Sequence, residues 1–588
     1  MEAVLGIERS VSGRRWRPRL ADDRAGLALA QRLDLPEIVG RVLAARGVEA
    51  DDAESFLNPR LRALLPDPSR LADMDKAVAR LVDLVRNGDR VVVFGDYDVD
   101  GATAAALLAR YFAAVGARAE IYVPDRLAEG YGPNAAALLR LKDDGVGVVV
   151  TVDCGISAHE PLAEARRAGL DVIVVDHHVA EPRLPEAAAV VDPNRLDDGS
   201  GCGELAAVGV AFLLLIGLNR ALRDAGWFAA RPEPDLRDWL DLVALGTVCD
   251  MVPLMGVNRA LVSQGLKVMA RRGNLGLGTL ADIAGVREPP GTYHAAFVLG
   301  PRLNAGGRVG KSDLGARLLT TEDAEKAAAL ALSLDALNLE RREIEARVEA
   351  AAQAQVEAGG GNDDVIFAVG EGWHPGVIGI VASRLMQRYH RPAFVIALDG
   401  AIGKGSARSI PGVDLGAAVI AARQAGHLIN GGGHPAAAGL TVSAERLPAL
   451  RAFLAARLAE AVAEMGATPT LGLDGAITVG AATSEFVGLL ARIGPFGVGN
   501  AEPRFAFARS RVVRVDVVGG RHVRCVLAGE GRGRLDAIAF RSTETPIGAA
   551  LLNARGAPLH VAGHLRADTR YGRDRVQLFV DDVAHAQG

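Results

Sequence analysis

At 588 residues the chain has room for roughly three to five domains, and with 49% of its residues apolar it can bury several cores, which excludes disorder as its default state. Its net charge of −5 does not announce a nucleic-acid binder, although a basic groove can hide within an acidic total. The four cysteines (Cys154, Cys202, Cys249, Cys525) lack any C-x-x-C spacing, which excludes a disulfide framework and a zinc-thiolate site. The longest apolar run, Ala206 to Leu218, is shorter than the ~20 residues of a membrane span. No signal-like core occupies the first residues, so a cytoplasmic protein without a membrane partner is expected. The cations are almost all arginine, with lysine only at 76, 142, 267, 311, 326 and 404. Arginine suits bidentate phosphate contacts, but so general a bias reads first as compositional.

In chain order, residues 1–75 read as a short helical lead-in. From Arg90 the pattern becomes β-α alternation. Strands are expected at Arg90–Phe94, Arg118–Val123, Val146–Val152 and Asp171–Val175, with helices at Ala102–Ala114, Asn134–Asp143 and Ala158–Ala168. Such alternation implies a mostly parallel sheet covered on both faces, here within a domain spanning 76–320. Helix-rich sequence follows from Leu205 to Arg272. Thr321–Ala358, free of Pro and Gly and stopped by three glycines, predicts one long connecting helix within 321–361. A second α/β domain, 362–466, follows: strand Val365–Val369, helix Val377–Tyr389, strand Ala393–Leu398 and helices Leu415–Ala425 and Ala444–Glu464. Residues 467–588 turn to five short strands (Arg511–Val518, His522–Leu527, Leu535–Phe540, Leu559–Leu565, Val576–Val580), the pattern of an OB-like β-barrel.

The strongest chemical signal is Gly95-Asp96-Tyr97-Asp98-Val99-Asp100-Gly101, placed between a strand and a helix. A helix cap needs one aspartate; three at alternate positions repel one another unless cations neutralise them. Two further strand ends repeat the theme, Thr151-Val152-Asp153-Cys154-Gly155 and Val175-Asp176-His177-His178, and Asp250 closes an apolar helix. In open α/β sheets these ends line one crevice. Oxygen-rich ligands with one or two imidazoles suit two Mn²⁺ or Mg²⁺ ions better than zinc, in outline a two-metal site for phosphoester hydrolysis.

The ordered set Asp-Tyr-Asp-Val-Asp-Gly, Val-Asp-Cys-Gly, Asp-His-His and Cys-Asp-Met-Val-Pro-Leu resembles the four motifs of the DHH phosphoesterases, most closely those of the RecJ-type exonucleases. The resemblance implies that Asp98, Asp100, Asp153, His177 and Asp250 are metal ligands, with Asp153 bridging. Asp96 would be a further ligand or a neighbour that supports one. The catalytic residues would be Asp153, His178, which faces the scissile phosphate, and Asp176, which orients the histidine pair. Cys249 departs slightly, standing where the family more often has an alanine-like residue.

Gly431-Gly432-Gly433-His434-Pro435 reads as a glycine-rich turn that brings backbone N–H groups and an imidazole to a phosphate. It resembles the glycine-histidine motif of the DHH-associated domain; Gly372–Gly379, Gly405–Ser409, Pro301–Arg308 and Ile493–Asn500 resemble further RecJ segments. By that resemblance Arg302, Asn304, Arg308, His374, Arg384, Ser406, Arg408, Ser409, Gly432, Gly433 and His434 would bind substrate. For Arg302 and Arg308 a purely structural role, tying a loop to helix ends, remains the alternative. In the barrel, Phe505, Phe507, Phe540 and Tyr571 could stack on bases, although each type is more often core.

The expected function is a metal-dependent 5′→3′ exonuclease of single-stranded DNA acting in repair and recombination, with a helicase and a single-strand-binding protein as candidate partners. Two alternatives are a small-nucleotide or oligoribonucleotide phosphodiesterase of the same superfamily, usually shorter and without a barrel, and a non-catalytic replication scaffold. The complete set of carboxylates and histidines counts against the scaffold.

Overall fold

A computed structural model describes residues 2–126, 129–361, 363–465, 468–531, 533–568 and 575–586. It divides into two units: residues 1–67, 251–267 and 468–588 form one, and residues 68–250 and 268–467 the other. Near the amino terminus a short strand, β1 (Arg15–Pro18), precedes helices α1 (Asp23–Leu33) and α2 (Glu37–Ala44). Asp22 starts α1 by accepting from the Arg24 backbone N–H.

In the larger unit, valine-rich runs bounded by Gly and Asp build the first sheet. Its strands are β2 (Val91–Gly95), β3 (Ala119–Tyr122), β4 (Val148–Val152), β5 (Asp171–Val175) and β6 (Ala189–Val191). They are all parallel, in the order β3-β2-β4-β5-β6. Every residue of β2 and β4 is buried, as a sheet covered on both faces requires. Strand β6 is too short to show any periodicity in the sequence. Helices α3 (Val99–Ala114) and α4 (Ala207–Asp224) pack beside this sheet, and α5 (Leu240–Cys249) packs on both of them. The apolar run from Ala206 lies in α4 as a buried core helix, and no helix among the described residues is long and apolar enough to cross a membrane.

Pro301–Arg308, for which a loop tied by its arginines was the structural alternative, is helix α6 (Gly300–Val309). The long helix α7 runs Ala324–Ala358, starting three residues late because Asp323 accepts from the N–H groups of Glu325 and Lys326. The second sheet contains β7 (Ile366–Glu371), β8 (Ala393–Asp399), β9 (Ile402–Arg408), β10 (Asn430–His434) and β11 (Ala437–Ser443), with α8 (Ile378–Tyr389) packed on it. Only β7 and β8 run parallel in its order β10-β11-β9-β8-β7. The glycine-rich turn is therefore corrected: Gly431 to His434 form edge strand β10, and the chain reverses at Pro435-Ala436. Glycine is required there because a Cβ on Gly433 would stand 2.3 Å from the Ala437 carbonyl oxygen.

In the smaller unit β12 (Thr470–Leu473) pairs in parallel with β1. Beyond it lie β13 (Gly475–Ile477), β14 (Phe505–Val518), β15 (His522–Ala528), β16 (Arg534–Ala539), β17 (Pro558–Asp568) and β18 (Arg575–His585). Pairing of β14 with both β15 and β17 closes a five-stranded barrel, as expected of an OB fold. Residues 2–67 do not stand alone. Leu29, Val39, Leu43 and Phe56 share one core with Phe486, Phe505, Leu535 and Leu551, and the fully buried Trp16 donates from its indole N–H to Asp582 (2.9 Å).

Candidate metal centre and phosphate pocket

The strand order of the first sheet reverses direction between β2 and β4, and ligands bind at the carboxyl ends of such a switch point. Strand β2 delivers Asp96, Asp98 and Asp100 there, and β4 delivers Asp153. Asp98 is the N-cap of α3, one oxygen accepting from the N–H groups of Asp100 (2.9 Å) and Gly101 (3.1 Å). Asp100, in the first turn of α3, accepts from Ala207 N–H (2.6 Å) and Val208 N–H (3.0 Å) at the start of α4. Asp153 turns the chain at φ 61°, a left-handed conformation that aspartate tolerates better than most residues. Its backbone is held by the Val175 carbonyl (3.1 Å) and by the Tyr131 hydroxyl, which donates to its own carbonyl (3.0 Å).

Strand β5 ends in Asp176, which accepts from Ile156 N–H (3.0 Å) and His177 N–H (2.8 Å) and pairs with His178 Nδ1 (2.7 Å). The expectation that Asp176 orients both rings is corrected, since its carboxylate reaches the ring of His178 alone. The His177 ring is set among the acids, with Nε2 3.2 Å from Asp153 and 3.9 Å from Asp100, and Nδ1 3.7 Å from Asp250. Asn194 fixes its backbone by donating to the His177 carbonyl (2.6 Å). Three sets of donor atoms lie within 4.8 Å of one another: Asp96/Asp98/Asp153, Asp100/His177/Asp250 and Asp153/His177/His178.

Electrostatics set this crevice apart. Burial, then the charge of Asp98, pushes the Asp96 carboxyl well above its usual range, and burial, then the charges of Asp98, Asp100 and Asp96, does so for Asp153. Asp100 is raised to about 7 by burial and then by Asp250, and Asp250 to about 7 by burial and then by Asp98. Asp176 behaves oppositely: burial alone would raise it, but its hydrogen bonds hold it below the usual value. The His178 ring loses charge stability by burial, yet the bond and charge of Asp176 lift it to about 9. Asp96 Oδ1 and His177 Nε2 are buried without a hydrogen-bond partner. Unpartnered donor atoms among acids that raise one another fit divalent cations.

The second sheet presents the opposite charge. Arg408 on β9 donates to the Ser406 hydroxyl (3.1 Å) and the Ala407 carbonyl (2.8 Å). Both lie against the first turn of α8, where a Cβ on Gly379 would stand 3.1 Å from Ser406 Oγ and 3.2 Å from Arg408 Nη2. Free N–H groups at a helix start favour anions. Arg308 donates to the Gly376 carbonyl (3.0 Å), and its pKa is drawn down to about 10 by burial and then by Arg126, Arg341 and, more weakly, Arg408, against the opposing pull of Asp98. His374 accepts from Gly376 N–H at Nδ1 (3.0 Å), which places the proton of the neutral ring on Nε2.

Other expected substrate contacts are engaged within the protein. Arg302 binds Asp335 (2.8 Å) and the Val298 carbonyl (2.7 Å), Arg384 binds Glu345 and Glu349 on α7, and the Ser409 hydroxyl donates to the Val413 carbonyl (2.6 Å). Asn304 is half-buried, and Gly432, Gly433 and the exposed His434 lie on edge strand β10.

Three site residues were not singled out in the sequence. Arg126 lies over the Tyr97 ring (4.8 Å), and Tyr131 meets His178 edge-on (6.1 Å). Asp192 ends β6 fully buried, raised to about 7 chiefly by burial. The run Ala-Val-Val-Asp repeats the signal of the other strand ends, so Asp192 was findable; the others carry no local signal. In the smaller unit Phe505 and Phe507 are fully buried, whereas Phe540 is 53% exposed beside His522 (5.1 Å) and Phe579 (5.4 Å). Tyr571 lies outside the described residues.

Acids gathered against their own repulsion around an imidazole, at the ends of parallel strands and opposite an arginine pocket, define a DHH-type phosphoesterase. The chain matches the DHH family N-terminal domain over residues 90–247, the DHHA1 domain over 362–460 and the RecJ OB domain over 473–582. It is 37% identical to the single-stranded-DNA-specific exonuclease RecJ of Salmonella typhimurium, covering 90% of this chain and 93% of that one. To RecJ of Escherichia coli it is 34% identical, over 96% and 98%. The crystal structure of RecJ from Thermus thermophilus in complex with Mn²⁺ superposes with a TM-score of 0.80 at 29% identity, covering 97% of this chain and 79% of that one. The chain belongs to the RecJ family.

Proposed function

We propose that this chain is a metal-dependent 5′→3′ exonuclease that hydrolyses phosphodiester bonds of single-stranded DNA in repair and recombination. The observation that carries the reading is the pairing of the carboxylate crevice with an arginine pocket: Arg308, which donates to the Gly376 carbonyl (3.0 Å), follows Gly307, packed so close to Tyr97 of the acidic segment that a Cβ there would stand 2.8 Å from the Tyr97 carbonyl oxygen. A terminal phosphate held in that pocket would set the distance from the strand end to the cut. Relatives named single-stranded-DNA-specific exonucleases over nearly their whole length support the substrate. The alternative of a small-nucleotide phosphodiesterase accounts for no part of the barrel.

Asp96, Asp98, Asp100, Asp153, His177 and Asp250 would hold two ions, Mn²⁺ or Mg²⁺, with Asp153 and His177 the residues that belong to more than one donor set. Thermus RecJ has been solved with each of these metals. Bound there, the ions would act as Lewis acids on the phosphoryl oxygens and neutralise developing charge. His178, kept protonated by Asp176, would donate to an oxygen of the scissile phosphate. Ser406 and Arg408 with the start of α8, joined by Arg308, Arg126 and His374, would bind the terminal phosphate. On the barrel, the exposed Phe540 would offer a stacking face to bases. A cytoplasmic setting and supply of strand by a helicase and a single-strand-binding protein complete the reading.

The test is digestion of single strands labelled at either end, with Mn²⁺, Mg²⁺ or chelator. Release of 5′ nucleotides only with metal is expected. Release from the 3′ end, or full activity in chelator, would overturn the proposal.

A further inference from the structure

Neither the crevice nor the pocket uses Ile493–Asn500, a loop of the smaller unit that is closed on itself. Gly497 and Asn500 exchange backbone N–H to carbonyl bonds (2.9 and 3.2 Å), and the fully buried Asn500 side chain donates to the Ile493 and Pro495 carbonyls (2.9 Å each). What the loop grips is the segment that begins at Met251. Leu254 N–H donates to the Val498 carbonyl (2.8 Å). A Cβ on Gly497 would stand 2.6 Å from Leu254 Cδ1, and one on Gly499, at φ 73°, would stand 3.2 Å from Met255 and 3.3 Å from Pro253. Glycine at both positions is what lets the loop close on residues 253–255. Farther along, in helix Gly256–Ala270, the buried Arg259 donates to the carbonyls of Phe56 (2.7 Å), Ile493 (2.7 Å) and Gly494 (2.6 Å).

The residue directly before this segment is Asp250, where α5 ends. Asp250 keeps a helical backbone and donates its N–H to the Gly246 carbonyl (2.9 Å); Met251 then turns the chain at φ 62°. Helices favour glycine at that position, because a Cβ is strained there. Met251 is 67% exposed, so burial of its side chain does not offset the strain. Strained residues persist only where their surroundings over-determine them, and they cluster at functional sites.

We propose that the Ile493–Asn500 loop is a clasp that holds Met251 in its left-handed turn, so that the last turn of α5 stays wound and Asp250 keeps its place among the metal ligands. Leu254, Gly497, Gly499 and Arg259 are then positioning residues that touch no ion. Without the clasp Met251 would relax to an ordinary backbone, the end of α5 would fray, and the Asp250 carboxylate would leave the donor set it shares with Asp100 and His177. The inference rests on the reading of Asp250 as a metal ligand.

The experiment loosens the clasp with Gly499→Asn, which tolerates positive φ but presses on Pro253 and Met255, and with Gly497→Ala, which presses on Leu254. Each is made alone and with Met251→Gly, which removes the strain. Two quantities are read: hydrogen exchange of the Asp250 amide in chelated protein, and the Mn²⁺ dissociation constant by calorimetry, with Asp250→Asn as reference. Each clasp variant should speed that exchange and weaken Mn²⁺ binding by about 10-fold, the scale of one strained left-handed residue. Met251→Gly should change little alone and should restore both quantities in the double variants, a rescue that general misfolding does not allow. Clasp variants with unchanged exchange, or doubles in which the losses persist, would overturn the clasp. Mn²⁺ affinity unchanged in the clasp variants but weakened in Asp250→Asn would do the same. Should Asp250→Asn bind Mn²⁺ like wild type, it is the ligand reading that fails, and the exchange data still decide the clasp. The wild-type protein supplies the converse without any variant. By linkage Mn²⁺ should slow exchange of the Leu254 amide about 10-fold beyond any slowing in β15, and no such slowing would overturn the proposal.

Discussion

The two charged regions of the larger unit are built on opposite principles. At the ends of the first sheet, the buried Asp96, Asp100 and Asp153 and the half-buried Asp250 crowd one another and each is pushed up in pKa. In the pocket of the second sheet, Arg308 and Arg408 each already donate to protein carbonyls, and Ser406 meets Arg408. The crevice is therefore assembled against its own electrostatics and is complete only with cations, whereas the pocket is organised before any ligand arrives. The crevice should fail as a unit and the pocket by degrees.

The sharpest way to break this contrast is Asp153→Asn. Shared between two donor sets, Asp153 should take both ions with it, and the rate should fall by several orders of magnitude while single-strand binding survives in part. Initial rates across a Mn²⁺ titration, with binding measured separately, check this; near-wild-type turnover at any metal concentration would remove Asp153 from the chemistry.

In the pocket the expected loss is smaller. Arg408→Ala should lower kcat/KM by about 10- to 100-fold, the scale of one charge-assisted phosphate contact. The metal requirement should not change. The loss should be greater on a 5′-phosphorylated strand than on a 5′-hydroxyl strand, and equal losses on both would make Arg408 a general backbone contact.

Stability offers a third comparison. In chelated protein, Asp100 and Asp250 keep their protons to about pH 7, whereas unfolded aspartates lose theirs near pH 4. Between those values the folded state binds more protons, so stability falls as pH rises. The melting temperature of chelated protein should thus decline from pH 5 to pH 8, and Mn²⁺ should raise it more at pH 8 than at pH 5. Asp250→Asn should flatten the decline, and a slope unchanged by that substitution would contradict the assignment.

The smallest effect is expected at Arg384, whose guanidinium is engaged by Glu345 and Glu349. Arg384→Ala should leave kcat/KM within about fivefold of wild type, in keeping with an ion pair worth up to ~1 kcal/mol. A loss matching that of Arg408→Ala would place Arg384 in the phosphate pocket after all.

The smaller unit changes what a truncation can report. Removing the barrel would strip the shared core from Leu29, Val39, Leu43 and Phe56 and unpair β1 from β12. Such a variant would measure misfolding along with any lost affinity, so substitutions at the exposed Phe540 are the cleaner probe of the barrel.

By itself the sequence determined whatever short-range physics encodes. Valine runs ending in aspartate and glycine marked β2, β4 and β5 with their acids, absence of Pro and Gly marked α7, and short β-like segments marked the barrel strands, because each signal lies within one element. Tertiary structure alone decided the choices among partners far apart in the chain. Arg302 and Arg384 are engaged by α7 while Arg308 and Arg408 converge on the pocket, yet no residue beside them in the sequence separates the two pairs. Phe505 went inside and Phe540 stayed out, Asp176 met the ring of His178 but only the backbone N–H of His177, and residues 2–67 joined the barrel. The reason is physical: local pattern fixes which face of an element is apolar or charged, but which surface meets that face depends on contacts hundreds of residues apart, whose energies exist only once the chain has closed on itself.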